Sequence, residues 1–270
     1  MATPHQTKLP FVLFQLKGVL YAVACKNVRE IIVLPKVTGV PCAPPDVRGV
    51  INLRGKIIQL MDLRVRLGMP PLRTETETLI QLLHDREKDH RNWLAELEAC
   101  VREGRPFAMA RDPHRCKFGL WYDQFKTEDR LLRMTLPSMD EPHKKIHATA
   151  DQALDLAEKG QRDKALELIN ARRNHELASL IKLFEESRRT LVDGNREAAV
   201  VLVRRNDFLA FSADLVEAVE HIPEESIAPM PPALAGLNPG LQCRVGKRAK
   251  TNETILMLND DFFSSVAVTN

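Results

Sequence analysis

The chain has 270 residues, 44% of them hydrophobic and 28% charged, enough length and apolar content for one or two domains with true cores. A net charge of +3 and sparse aromatics (ten Phe, two Trp, two Tyr) argue against a polyanion-binding face or a base-stacking platform, so no nucleic-acid partner is expected. No apolar run approaches the ~18 residues of a membrane span. Residues 1–5 lack the pattern of a secretory signal, and five scattered cysteines form no disulfide framework, so a cytoplasmic setting without membrane insertion is expected.

In chain order, a meander of short strands comes first. Residues 11–16 and 19–24 flank a Lys17-Gly18 turn, 28–34 follow, and Pro41, Pro44 and Pro45 mark a loop. Residues 47–64 read as two strands around a polar turn at 52–55, with strand pattern continuing to about Leu67. The period then changes. Leu79, Leu83, Arg86, His90, Trp93, Leu94, Leu97 and Val101 recur every three or four residues, which predicts a helix over 76–102 with His90 on its apolar face. A short helix is predicted over 129–134. Pro142 suits the first position of a helix whose stripe is His143, His147, Ala150, Leu154 and Ala157. A last helix carries Leu166, Ile169, Leu177, Leu180, Ile181 and Phe184 and stops near 193–195. Strand pattern resumes at 198–203, turns at 204–207 and continues over 208–222. A Pro-rich loop at 223–239 and a hairpin around 247–253 close the chain.

Composition marks the same boundaries. Val and Ile together number 26 in the 148 residues of the two ends and 6 in the 122 of the middle. Branched side chains fit pleated sheet, and unbranched Leu, Ala, Glu, Lys and Arg favour helix. The ends, 1–73 and 196–270, therefore read as one discontinuous β domain, barrel or sandwich. Residues 74–195 read as an inserted helical domain of four-helix-bundle type.

His143 and His147, four apart, share one helix face, as two ligands of one metal require. With His90 they put three imidazoles on converging apolar faces, which is costly unless they are satisfied. Cys116 offers a fourth donor. Thiolate with imidazole favours zinc. A zinc protease would carry Glu where Lys144 stands, and four protein ligands leave no position for a reactive water. A structural or sensing metal is therefore expected, with a zinc hydrolase the weaker alternative. His114 competes with Cys116 by proximity but sits in a charged loop, so it is expected to be solvated, as are His84 and His175. Trp93 and Trp121 are expected in the core, and Gly49 and Gly55 in tight turns. No P-loop, dinucleotide fingerprint or Ser-His-Asp pattern appears, so no enzyme is expected.

The middle piece resembles the chemoreceptor zinc-binding (CZB) family. The resemblance rests on His90 within Asp89-His90-Arg91-Asn92-Trp93, on Cys116 leading into Gly119-Leu120-Trp121-Tyr122, and on the helix with His143 and His147. It implies that His90, Cys116, His143 and His147 bind zinc in a four-helix bundle that regulates a signalling protein and often forms a homodimer. The ends resemble the CheW coupling-protein domain, through Val47-Arg48-Gly49-Val50-Ile51-Asn52-Leu53-Arg54-Gly55 with Met61-Asp62-Leu63-Arg64, and more loosely through residues 209–216, where Ala210 replaces the family's Gly. That resemblance implies two SH3-like β-barrels bridging a chemoreceptor tip and the regulatory domain of the histidine kinase CheA. It places Asn52 and Arg54 at the partner contact. Together the two resemblances imply an α+β adaptor with a regulatory zinc insert, or the same adaptor with purely structural zinc.

Overall fold

The protein is described by a computed structural model covering residues 8–127, 130–194, 196–204, 207–231, 243–248 and 251–263. Parts of the expected 129–134 helix, 204–207 turn, 223–239 loop and 247–253 hairpin lie outside these residues, as do Met1–His5 and the expected helix stop at Asn195. The chain divides into two compact units, one of residues 1–72 and 195–270, the other of residues 73–194.

The β unit begins with β1 (Lys8–Leu16), β2 (Val19–Ala24), β3 (Val28–Val33), β4 (Val47–Leu53) and β5 (Lys56–Asp62). It resumes with β6 (Ala198–Arg204), β7 (Asp207–Ala213), β8 (Leu215–Pro223), β9 (Ala228–Pro229), β10 (Cys243–Lys247) and β11 (Thr254–Leu258). These strands make a six-stranded sheet, β8-β1-β2-β11-β10-β9, and a five-stranded sheet, β3-β6-β7-β5-β4. Each sheet takes strands from both ends of the chain, so neither end completes a sheet alone. The expected pair of barrels is thus seen as two sheets whose ladders, among the described residues, run in open order. Phe14 and Phe211, 5.1 Å apart between centroids, centre the core, and Phe263 stacks on Phe211.

Three local readings are corrected. Strand structure ends at Asp62, not near Leu67, because the Asp62 carboxylate accepts from the Val65 N–H and caps the short helix α1 (Leu63–Arg66). The run 208–222 is two strands broken at Asp214, whose carboxylate faces inward to Arg64 and to the Lys17 N–H. Gly49 sits in a strand and not a turn: at φ +142° a Cβ there would lie 2.2 Å from the Thr38 carbonyl oxygen, where residues 38 and 50 exchange backbone hydrogen bonds. Gly55 does sit in a tight turn. Arg54 and Gly55, both at positive φ, join Leu53 to Lys56, the two-residue geometry that matches strand twist.

The helical unit contains α2 (Leu72–Glu103), α3 (Lys117–Tyr122), α4 (Arg130–Thr135), α5 (Asp140–Glu158), α6 (Arg162–Arg172) and α7 (Ala178–Gly194). α2 begins four residues before its sequence pattern, where polar residues carry no apolar period to read. Pro142 is the third residue of α5 and not the first, since the chain is already turning through a 3-10 segment at Leu136–Met139. A π turn at Arg173–Leu177 joins α6 to α7. The core joins Leu94, Leu97, Phe118, Ile146, Ala150, Ile169, Leu180 and Phe184. No helix among the described residues is long and apolar enough to cross a membrane.

Candidate metal centre

The helical unit brings together the four donors expected from the sequence. One ligand atom from each of His90, Cys116, His143 and His147 lies within 4.8 Å of the others. His90 reaches the site from the buried stripe of α2, and His143 and His147 from one face of α5. The three residues are 3%, 3% and 1% exposed, which makes their polar atoms decisive. The ring centroids lie 5.0 Å apart for His90 and His143, 4.8 Å for His143 and His147, and 5.9 Å for His90 and His147. Phe118 closes against His143 at 4.9 Å, and Trp93 against His147 at 4.7 Å.

Cys116 caps the N-terminus of α3: its sulfur accepts from the Gly119 N–H at 3.2 Å and lies 3.2 Å from His143 Nε2. Gly119 is dictated by packing, since a Cβ there would fall 1.9 Å from the Pro113 carbonyl oxygen. The Gly of the sequence motif therefore lets α3 press onto the preceding turn and aim the sulfur.

His90 Nδ1 donates to the Arg86 carbonyl at 2.6 Å, so its proton sits there and Nε2 keeps a lone pair. That Nε2 is buried without a hydrogen-bond partner, and neither ring nitrogen of His147 has one of normal geometry. The backbone of Ala110 and Arg111 raises the His147 pKa only in part. Burial, then repulsion from His90 whenever that ring is protonated, hold it down to about 4. Burial, followed by His90 and His147, depresses His143 to about 2, and burial also lowers His90. Burial pushes the Cys116 thiol up, against hydrogen bonds from Gly119 and Phe118 that favour the thiolate. Neutral imidazoles with unpartnered nitrogens, converging on a half-buried sulfur, fit a thiophilic divalent ion. A cavity of about 230 Å³, lined by His90, Cys116 and His147 among others, reaches the site.

His114 is exposed and bonds Asp123 at 2.9 Å, outside the cluster, and His84 and His175 are also exposed. Trp93 is buried with its N–H on the Ala110 carbonyl at 2.8 Å, whereas Trp121 is only partly buried. In the β unit, Asn52 is exposed and its side-chain oxygen accepts from the Gly55 N–H at 2.8 Å, which makes it a turn former. Arg54 is 79% exposed and pairs with Glu30 at 2.9 Å. The sequence reading missed the Arg86 carbonyl and Phe118 as parts of the site. Their one signal was spacing: Arg86 stands four residues before His90 on the same stripe.

Fold and donor set define a class: a two-sheet β unit whose chain is interrupted by a helical module able to hold a metal ion. The family model for the CheW-like domain matches residues 10–91, and that for the chemoreceptor zinc-binding domain matches residues 90–154. Along the chain, a match to the CheW-like domain is thus followed directly by a match to the CZB domain.

Among curated proteins, it is 34% identical over 87 residues to the chemotaxis protein CheW of Bacillus subtilis (32% of this chain, 56% of that one). It is 42% identical over 65 residues to that of Treponema pallidum (24% and 38%). It is 36% identical over 67 residues to a probable chemotaxis protein CheW of Rhizobium etli (25% and 43%). The matches thus span about half the length of these relatives. Among solved structures, the scaffolding protein TtCheW of Thermoanaerobacter tengcongensis aligns over 96% of this chain and 89% of its own at 15% identity, with a TM-score of 0.44.

Proposed function

We propose that the chain is a non-catalytic cytoplasmic adaptor of chemotaxis signalling. Its β unit couples a chemoreceptor tip to the regulatory domain of a CheA-type kinase, and its helical insert, residues 74–195, holds one zinc through His90, Cys116, His143 and His147. The observation that carries the reading is the pairing of a CheW-like match with a CZB match whose four donor atoms meet within 4.8 Å. Residues 196–270 lie outside both matches, and their assignment to the same CheW-like domain, as a pair of SH3-like barrels, rests on β6 and β7 pairing with β3 and β5. In this reading zinc crosslinks α2, α3 and α5 of a four-helix-type bundle, and the insert is a surface through which two copies associate.

Arg54 is the contact residue of this proposal, held out from the β4–β5 turn. Arg54→Glu should weaken capture of a CheA regulatory domain or a receptor tip at least tenfold in a titration. Its stability should change by no more than about 0.5 kcal/mol, as for any exposed side chain with a surface ion pair. Unchanged binding removes Arg54 from the interface.

A second reading adds a redox input. It is favoured by the half-buried Cys116 sulfur on the wall of the cavity, where a small oxidant reaches it. Zinc release on peroxide or hypochlorous acid treatment, absent in Cys116→Ser, supports it. No release leaves zinc structural.

A further inference from the structure

The charges around the centre do not balance through its ligands. A divalent ion on three neutral imidazoles and one thiolate carries one net positive charge. The residues lining the adjoining cavity include two cations, Arg115 and Lys117, and one carboxylate, Asp89. Arg115 and Lys117 are exposed to water, but the centre itself is buried, and a buried net positive charge is stabilised by a nearby carboxylate. Asp89 precedes His90 directly on α2. Its Oδ2 is buried, accepts no hydrogen bond and is ion-paired with Arg86 Nη2 at 3.3 Å, while the side chain as a whole is 37% exposed. Arg86 is the residue whose carbonyl fixes the His90 tautomer.

We propose that Asp89 is the outer counter-charge of the metal centre, positioned by Arg86, and that it raises metal affinity without being a ligand. Asp112, another carboxylate in this part of the chain, is exposed and caps the turn at His114. Asp89→Asn keeps the shape and removes the charge. Asp85, exposed on the same helix and bonded to Gln81, is the matched control.

The proposal rests on the reading of this centre as a zinc site, and one experiment separates the two. The full chain is loaded with zinc and titrated against a chromophoric chelator, and in parallel loaded with cobalt(II) to read the ligand-field and thiolate-to-metal bands. Asp89→Asn should bind zinc about tenfold more weakly, the scale of outer-sphere effects. Its cobalt bands should still report one sulfur and a tetrahedral site. Asp89→Glu should recover most of the loss, and Asp85→Asn should match the parent chain. A parent chain that takes up no stoichiometric zinc overturns both readings. A loaded parent with Asp89→Asn within twofold of it, or with Asp85→Asn equally weakened, overturns the counter-charge alone.

Discussion

Arg64 in the β unit and His147 in the helical unit are both almost removed from water, at 4% and 1% exposure, and they are treated in opposite ways. Arg64 donates twice to Asp214, at 2.7 and 2.5 Å, and Asp214 also accepts from the Lys17 N–H. Arg48 likewise bonds both oxygens of Glu197, which is 9% exposed. Among the described residues, every buried side-chain polar atom lacking a hydrogen bond lies in the helical unit, and three of them are imidazole nitrogens at one point. An unpartnered buried polar group costs about 1–3 kcal/mol. The β unit pairs its buried charges across two distant chain segments, whereas the helical unit gathers three imidazole nitrogens that no protein group partners.

The sharpest way to break this contrast is to orphan a group in the β unit. Arg64→Met should leave the partly buried Asp214 without its cation and cost about 2–4 kcal/mol in chemical denaturation, with Asp214→Asn on the same background restoring part of it. A loss under about 1 kcal/mol would mean that the pair is not an architectural clamp.

The helical unit should respond to pH instead. With metal removed by a chelator, the histidines are neutral when folded, depressed to about 4 at His147 and about 2 at His143, but titrate near 6.5 when unfolded. Below about pH 6.5 the unfolded chain binds more protons, so stability is full above that value and falls as pH drops toward the folded values. The slope should approach about 1.4 kcal/mol per pH unit for each histidine. Denaturation of the metal-free chain at pH 7.5, 6.0 and 5.0, read by helical circular dichroism, checks this; a flat profile would mean the imidazoles are satisfied.

A smaller effect should follow from Gly119→Ala, which forces α3 off the Pro113 turn. We expect about 1–3 kcal/mol in thermal or chemical unfolding, together with weaker metal retention because Cys116 moves with α3. Loss of stability without loss of metal would separate the packing of α3 from the aim of its sulfur.

The convergence of the four candidate donors was the more legible feature of the chain, because its signal is local. His143 and His147 share a face by helical period alone, and His90 falls on an apolar stripe that only one helix register explains. The strand positions were legible for the same reason, from alternation and turn residues. Strand partners were not. β5 pairs parallel with β7 and β2 with β11, across separations that no local pattern encodes. Asp214 looked like one more polar strand residue because its partner Arg64 is 150 positions away. The tautomer of His90 was equally hidden, since it depends on a backbone carbonyl, and Asp62 gave no sign of capping α1 because its side chain also suits the end of a strand.

The most direct measurement is X-ray absorption at the zinc edge of the purified full chain. One sulfur at about 2.3 Å and three nitrogens at about 2.0 Å are predicted, with the sulfur shell lost in Cys116→Ser and stoichiometric zinc lost in His143→Ala or His147→Ala. A zinc shell without sulfur, or one tightly held zinc persisting in both histidine variants, would contradict the assignment of these four residues as its ligands.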